Sequence, residues 1–222
     1  FPGSNCERDC FYIVSKILRQ NCKIIWHNEF SISKVDCIIV PGGFSYGDYL
    51  RTGSIASQSR ISNALIKFAD RGGTVIGICN GFQILTELKL LPGTLVRNKN
   101  LKFICKDINL KVNKNSRFTN LYNNNEIIRI PIAHAEGNYY ADKKTLKKLK
   151  DNDQIIFSYC NKNGDITKES NPNGSLLNIA GITNKKGNVI GLMPHPERVS
   201  EKVFNNTDGI KFFKSVVNYH NY

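Results

Sequence analysis

The residue best suited to covalent chemistry is Cys79, which follows a short apolar run and has glycine at i−2 and i+2. Residues 74–78 are typical of a buried central strand, and residues 82–88 continue with helical spacing. Between them, G-I-C-N-G has the form of a nucleophile elbow, in which glycines permit a sharp turn from strand to helix. The sequence therefore predicts a cysteine nucleophile at a helix N-terminus, where the helix dipole favours a thiolate and the next N–H can bind an oxyanion.

A second reactive group lies in the segment M-P-H-P-E-R, residues 193–198. Pro196 favours an extended backbone at His195. In an extended segment, residues i and i+2 point the same way, so Glu197 could orient the imidazole of His195. A histidine held by a carboxylate is the base that a cysteine nucleophile needs. We therefore expect Cys79, His195 and Glu197 to act as a catalytic triad in that chain order.

Each of these residues also has a simpler interpretation. Cys79 could be one more buried cysteine after a strand, because free cysteine often fills a core. His195 could be a turn histidine between prolines. His134 is a rival base that follows another apolar run, but no proline fixes its i+2 carboxylate, and a structural or substrate-loop role is expected there. The combination of the elbow with His195 and its carboxylate favours the catalytic interpretation.

The segment P-G-G-F-S-Y-G-D, residues 41–48, directly follows the apolar run at residues 36–40. Ligands of open α/β sheets gather at the carboxyl ends of strands, where both this loop and the Cys79 elbow are expected to lie. Adjacent glycines there would bring backbone N–H groups close to a ligand. An ordinary turn is the alternative; the functional hypothesis is that this loop supplies the second half of an oxyanion hole, opposite Asn80.

Composition restricts the class of protein. The 222 residues are 41% hydrophobic, with no apolar run as long as a membrane span. The seven cysteines include no C-x-x-C pair, and the four histidines show no ligand spacing with them. We therefore expect reduced thiols, a cytoplasmic protein and no metal site.

The net charge of +13 permits nucleic-acid binding. The positive charge is dispersed, apart from a lysine-rich segment at residues 143–150 that fits the solvated face of a short helix. No RNA-binding motif and no alternation of basic with aromatic residues is present. A nucleic-acid partner is therefore not expected.

Strand-like and helix-like segments alternate along the chain, which predicts an α/β fold with a single open, mainly parallel sheet flanked by helices. A helix after Ser4-x-x-Glu7, a capping-box pattern, and a short strand at residues 23–26 are expected near the start. Phe1 precedes a loop that follows a strand in this interpretation, so a first strand is expected to be missing at the N-terminus.

Four motifs together carry a family resemblance: P-G-G-F-S-Y-G-D, G-I-C-N-G-F-Q-I-L, A-H-A-E-G-N and M-P-H-P-E-R. With them the chain resembles the class I glutamine amidotransferases and, more narrowly, the glutaminase subunits of phosphoribosylformylglycinamidine synthase. The similarity extends over essentially all of residues 1–222, which implies one glutamine amidotransferase domain of flavodoxin-like architecture. Many relatives have glycine where this chain has Ala135, a departure that leaves the triad untouched.

The resemblance implies a role for each matching residue. Cys79 matches the nucleophile, His195 the general base and acid, and Glu197 the residue that orients His195. Gly43 and Asn80 match the residues whose backbone N–H groups form the oxyanion hole. Gln83, Asn138 and Tyr139 match positions that bind glutamine. The implied reaction is hydrolysis of L-glutamine to glutamate and ammonia through a γ-glutamyl thioester.

The resemblance also implies partners. Ammonia would pass to a large synthetase subunit, which uses ATP and Mg²⁺ in purine biosynthesis, with a small bridging subunit in the complex. No cofactor of its own is expected for this chain, since it lacks the ATP motif G-x-x-x-x-G-K-[ST]. Alternatives are a Cys-His-Glu hydrolase of γ-glutamyl bonds, an amidotransferase of another pathway, and a non-catalytic interaction subunit.

Overall fold

The computed structural model of the protein describes residues 1–221. The strands are β1 (Cys37–Val40), β2 (Thr74–Ile78), β3 (Thr94–Val96), β4 (Ile104–Val112), β5 (Ile127–His134), β6 (Asn138–Tyr140), β7 (Ile155–Cys160), β8 (Ile179–Thr183) and β9 (Val189–Leu192). The α-helices are α1 (Glu7–Tyr12), α2 (Ser54–Ser57), α3 (Arg60–Asp70), α4 (Asn80–Glu87), α5 (Lys143–Asp151) and α6 (Ile210–His220).

The main sheet has the strand order β1-β2-β9-β8-β7-β4-β5, and β3 pairs with β6 in a separate two-stranded ribbon. The predicted α/β class is confirmed, but the prediction of a mainly parallel sheet is wrong. Only the β1–β2 and β2–β9 pairings are parallel, whereas the other four pairings of this sheet are antiparallel. The sheet is therefore mixed, with its parallel part at the β1 end.

The direction of each pairing follows from the connection between its strands. A parallel pair needs a crossover, and α2 and α3 supply one between β1 and β2. By contrast, β4 and β5 are joined by residues 113–126 and β8 and β9 by residues 184–188, neither of which contains an α-helix. Such connections return the chain antiparallel to the preceding strand.

The centre of the fold is the β2–α4 unit. All five residues of β2 are buried, as expected for a central strand covered on both faces. Helix α4 is buried from Asn80 to Thr86 and contacts β1, β2 and β9. Helix α3 is amphipathic, since its inward residues Ile61, Leu65 and Ala69 recur every four positions. The nucleophile candidate thus lies within the buried centre of the fold, between β2 and α4.

Some local predictions near the N-terminus are wrong. Residues 23–26 form no strand. The predicted capping box is absent because the Ser4 hydroxyl donates to the Gly42 carbonyl, 3.1 Å away, and α1 begins after Cys6 without a side-chain cap. The helix continues beyond Tyr12 as a π-helical turn, Ile13–Ile17. Ser4 therefore connects the first loop to the Gly42 loop instead of starting a helix.

None of the helices in residues 1–221 combines the length and apolar character needed to cross a membrane.

Candidate active site

Cys79 occupies a strained turn between β2 and α4. Its φ of 50° and ψ of −105° are unusual for a residue with a side chain, and such conformations cost on the order of 1–3 kcal/mol. Close packing holds the turn in place: a Cβ on Gly81 would overlap the carbonyl oxygen of Val40, and one on Gly77 would lie 2.6 Å from a methyl group of Leu85. The predicted nucleophile elbow is therefore present, and both of its glycines are needed for contact of α4 with the sheet.

The elbow and the His195 loop leave the sheet side by side. Strands β2 and β9 are parallel neighbours, with Ile78 paired to Leu192. One step further, the Cys79 N–H donates to the Leu192 carbonyl at 2.8 Å. Because His195 follows Leu192 by three residues, the strand ladder brings the predicted nucleophile and base to the same edge of the sheet.

His195 and Glu197 form a buried pair. The His195 Nδ1 lies 2.5 Å from a Glu197 carboxylate oxygen, and the two residues are 1% and 2% exposed. The predicted contact is present, but the expectation of an extended backbone through both residues is wrong. A 3₁₀ turn begins at Pro196, where proline suits the first helical position. This turn brings the Glu197 carboxylate to the His195 imidazole.

Gly42 marks the point where His195 and Cys79 meet. A Cβ built on Gly42 would lie 2.8 Å from the His195 Cε1 and 3.5 Å from the Cys79 Cβ. Both residues therefore border the same small space above Gly42. The His195 Nε2 is buried there without a hydrogen-bond partner among the described residues. An unpartnered buried nitrogen beside a thiol is suited to exchange a proton with the thiol or with a substrate.

The surroundings of His195 favour its charged form. Burial alone would lower its pKa, but the Glu197 carboxylate and the neighbouring Cys79 raise the pKa of His195 well above its ordinary value of 6.5. A buried carboxylate in contact with Nδ1 stabilises the imidazolium by direct charge attraction. The pair can thus hold a proton close to Cys79 at neutral pH.

The two predicted oxyanion donors lie on adjoining loops. The Asn80 side-chain oxygen accepts a hydrogen bond from the Ser45 N–H at 3.1 Å, which ties the elbow to the loop that follows β1. Gly43 forms an isolated antiparallel bridge with Ser4. Within residues 1–221, neither the Gly43 N–H nor the Asn80 N–H donates a hydrogen bond. Both N–H groups are therefore available for a developing oxyanion, as the hypothesis requires.

His134 is fixed by amide side chains. Its Nδ1 lies 3.1 Å from the Asn98 side-chain oxygen, and the Asn173 amide lies 3.5 Å from its Nε2. Burial, together with the charge of His195, lowers the pKa of His134 to about 4. A neutral histidine with both nitrogens engaged suits the structural role expected for it better than that of a base.

The predicted glutamine-binding residues lie around the same edge. Gln83 is buried, accepts from the Asn80 amide at 3.0 Å and donates to the Glu136 carbonyl at 2.7 Å, so it joins the elbow helix to the segment after β5. Asn138 lies on β6, and its amide points to the Arg97 carbonyl at 3.4 Å. Tyr139 is fully buried: its hydroxyl donates to the Pro92 carbonyl and its N–H to the Ser175 hydroxyl, so neither group is open to a ligand here.

Two features of the site have no counterpart in the sequence analysis. The Thr52 hydroxyl donates to the Glu136 carboxylate at 2.5 Å, which connects the loop before α2 to the segment after β5. Cys6 lies beside the triad: a Cβ on Gly42 would lie 3.3 Å from its Sγ, which also accepts from Arg198 at 3.3 Å. No local spacing could have revealed either contact, because the partners are 84 and 192 positions apart.

Comparison with known proteins agrees with this geometry. The family model of the CobB/CobQ-like glutamine amidotransferase domain matches residues 1–220. The chain belongs to this family. Curated relatives include the phosphoribosylformylglycinamidine synthase subunit PurQ of Moorella thermoacetica, 53% identical over 99% of this chain and 93% of the relative. The PurQ subunit of Synechocystis sp. is 53% identical over 97% of this chain and 96% of its own.

Solved structures of similar proteins have the same fold as this chain. A chain of the PurLQS structure from Thermotoga maritima matches with a TM-score of 0.86 and 41% identity, over 99% of this chain and 95% of the other. A putative GMP synthase subunit from Thermoplasma acidophilum, at 14% identity and a TM-score of 0.62, shares the fold. The predicted resemblance to amidotransferase glutaminase subunits is thereby confirmed.

Proposed function

We propose that the chain is the glutaminase subunit of phosphoribosylformylglycinamidine synthase, and that Cys79, His195 and Glu197 hydrolyse L-glutamine to glutamate and ammonia. The observation that carries the proposal is the meeting of a strained cysteine elbow with a buried His195–Glu197 pair at the ends of two adjacent strands. Whole-chain identity of 53% to PurQ subunits supports the choice of pathway.

In the first half of the reaction, the Cys79 sulfur attacks the side-chain amide carbon of glutamine. The amide oxygen becomes an oxyanion, for which the Gly43 and Asn80 N–H groups serve as donors. His195 gives its proton to the amide nitrogen, the C–N bond breaks, and ammonia leaves. A γ-glutamyl thioester on Cys79 remains.

In the second half, His195 accepts a proton from water, and the resulting hydroxide attacks the thioester carbon. The carbon–sulfur bond breaks, glutamate leaves, and the thiolate is restored. The Glu197 carboxylate stabilises each imidazolium that forms, as the carboxylate does in other triads. The net reaction is glutamine plus water to glutamate plus ammonia.

The ammonia is consumed by partner subunits in this proposal. A large synthetase subunit uses ATP and Mg²⁺ to convert formylglycinamide ribonucleotide to the amidine, and a small subunit bridges the complex; the PurLQS neighbour at 41% identity supports such an assembly. This chain supplies neither ATP nor metal chemistry to that step. The complex works in the cytoplasm, where purine precursors and reduced thiols are present.

The isolated subunit should turn over glutamine slowly. Tyr46, Asp48 and Leu50 all have positive φ, and the last is 90% exposed, so the loop next to Gly43 is irregular and thinly packed. Partner binding would order this loop around the oxyanion hole. Full turnover by the isolated chain would count against this part of the proposal.

The experiment that tests the proposal is mass spectrometry after treatment with a diazo-ketone analogue of glutamine. We expect a single adduct on Cys79 among the seven thiols, and its formation should be prevented by excess glutamine. The Cys105→Ser variant, which removes an exposed thiol, should label like the native chain. Labelling spread over several cysteines, or unaffected by glutamine, would reject Cys79 as the glutamine nucleophile.

A further inference from the structure

Behind the triad lies a cleft that glutamine hydrolysis does not use. It has a volume of about 480 Å³ and lies between the N-terminal helix and the turn after His195. The residues that line it are Asn5, Cys6, Asp9, Tyr12, Ile13, Glu197, Arg198, Glu201 and Phe204. The cleft therefore reaches Glu197 from the side of Cys6.

Three potential metal ligands meet at the inner end of this cleft. One ligand atom each from Cys6, His195 and Glu197 lies within 4.8 Å of the other two, and all three residues are buried. Their elements are far apart in sequence: Cys6 precedes α1, whereas His195 and Glu197 follow β9. The cluster is thus a product of the fold, and ligand spacing along the chain gives no sign of it.

One ligand atom in this cluster is unused. The second Glu197 carboxylate oxygen, Oε2, is buried and has no hydrogen-bond partner in the described part of the chain. A buried carboxylate oxygen without a partner is unfavourable, and a bound cation would relieve the penalty. Glu197 also lines the cleft, with its side chain fully buried.

The charge around the cluster also favours a cation. Asp9 and Glu201 line the same cleft as Glu197, which therefore holds three carboxyl groups. Arg198 is the one basic residue among the lining residues. It donates to the Cys6 Sγ at 3.3 Å, and metal binding at this sulfur would replace that hydrogen bond.

The ligand types select a borderline-soft metal. Thiolate, imidazole and carboxylate together suit Zn²⁺, which binds them at about 2.3, 2.0 and 2.1 Å. Two ligands of one tetrahedral zinc ion are then roughly 3.3–3.8 Å apart. The three atoms lie within 4.8 Å of one another, so changes of about 1 Å in their separations would accommodate the ion.

We propose that Cys6, His195 and Glu197 form a binding site for Zn²⁺ or a similar divalent cation, and that its occupation inactivates the triad. The bound ion would displace the proton that the Glu197 contact favours on His195 and would engage both side chains, so His195 could no longer transfer protons. Cys6 supplies the ligand that makes this pair a metal site. The proposal goes beyond glutamine hydrolysis, and metal binding is measurable whether or not glutamine is the substrate.

The direct test is titration of the full chain with Co²⁺, a spectroscopic substitute for Zn²⁺, in a buffer without chelators. We expect one equivalent to bind with a thiolate-to-cobalt charge-transfer band, and Zn²⁺ to displace it. Cys6→Ser should abolish the band and weaken binding at least about 100-fold, because the loss of even an outer-shell partner costs about 10- to 100-fold. A native chain that gives no band overturns the proposal without any variant.

Two matched cysteine variants locate the site. Cys79→Ser and Cys105→Ser should both keep the charge-transfer band, because neither residue belongs to the cluster. A band that survives in Cys6→Ser, or that disappears in Cys79→Ser, would place the metal elsewhere and overturn the assignment. Circular dichroism identifies a variant that fails to fold; Cys6→Ala then takes the place of Cys6→Ser.

The effect on the triad is tested by labelling. Zn²⁺ should slow alkylation of Cys79 by the diazo-ketone analogue in the native chain, and a chelator should restore it. In Cys6→Ser, the labelling rate with Zn²⁺ should equal that variant's own rate without Zn²⁺. Equal sensitivity to Zn²⁺ in both chains would show that the metal acts on Cys79 itself and would refute the proposed inactivation.

Discussion

The charge of Glu197 is the feature of the triad whose removal is most informative. Glu197→Gln keeps the size of the side chain and a carbonyl oxygen that can still accept from the His195 Nδ1, but it removes the negative charge. In the native structure the two groups are in contact at 2.5 Å and both side chains are almost fully buried, so solvent screens their attraction little.

The size of the effect can be worked out from this contact. Opposite unit charges at about 4 Å attract by about 4 kcal/mol at an effective dielectric constant of about 20. In the second half of the reaction the imidazolium forms as His195 accepts the proton of water, so the loss of that attraction lowers the rate of this step by about three powers of ten. Amide substitution of the buried acid in a Ser-His-Asp triad costs about 10⁴-fold, so we expect a fall between about 10³ and 10⁴.

The assay is steady-state glutaminase activity of the complex assembled with its partner subunits. The affinity for glutamine should change little, because Glu197 contacts His195 and not the substrate in this mechanism. A second readout is the rate of Cys79 alkylation, which should fall at neutral pH because His195 has lost the partner that raises its pKa. Together the two readouts separate loss of charge from loss of the fold.

The matched control is Glu126→Gln. Glu126 also accepts from a cation, Lys211 at 2.6 Å, but it contacts none of the predicted site residues. Its substitution should change activity by no more than about twofold, in line with the roughly 0.5 kcal/mol of ordinary surface changes. A fall of less than tenfold for Glu197→Gln, with alkylation unchanged, would refute the charge argument.

Other substitutions test the packing of the site and the state of His134. Gly42→Ala should lower kcat about 100-fold, because its Cβ would lie 2.8 Å from the His195 Cε1, and displacements of about 1 Å cost that much. Gly72→Ala, which has open space around it but a φ of 92°, should lower stability and keep the activity of the folded enzyme, and equal losses of kcat would contradict the argument. Gly81→Ala should lower the free energy of unfolding, measured in urea, by about 1–3 kcal/mol or more. The added Cβ would clash with the backbone carbonyl of Val40, and no change of side-chain rotamer can relieve that clash. An unchanged urea midpoint would refute this prediction. Folding lowers the pKa of His134 to about 4. As the pH falls below 6.5, the unfolded state therefore binds a proton at His134 before the folded state does, and the free energy of unfolding should drop by about 3 kcal/mol between pH 6.5 and 4. His134→Gln should remove that part of the pH dependence.

Elements that depend on a local sequence pattern could be predicted from the sequence. A buried apolar run followed by glycine-spaced cysteine identified β2, the elbow and α4, because each depends on residues within one turn or strand. The contact between His195 and Glu197 was also predictable from their spacing. The backbone that produces it was not, since a 3₁₀ turn and an extended strand can both bring i and i+2 together.

Features that depend on distant pairing were not predictable. The direction of a strand depends on which segments become its neighbours. The alternation of strands and helices along the chain therefore could not predict that β9 lies antiparallel to β8. Strands β3 and β6 have three residues each, too few for a periodic pattern. Cys6 contributes to the site because the first loop bridges to Gly43 through Ser4, a contact between residues far apart in the chain. No composition or local motif reports such a contact.

The ladder between β2 and β9 has a mechanical consequence. The separation of nucleophile and base is set by main-chain bonds of two central strands, including the bond from Cys79 to Leu192, and a sheet interior resists sliding. Gly43, Thr52 and Glu136 lie on loops instead. A signal from a partner subunit can therefore open, close or reshape the entrance while the reacting pair keeps its spacing, so that access and reactivity are adjusted by separate parts of the molecule.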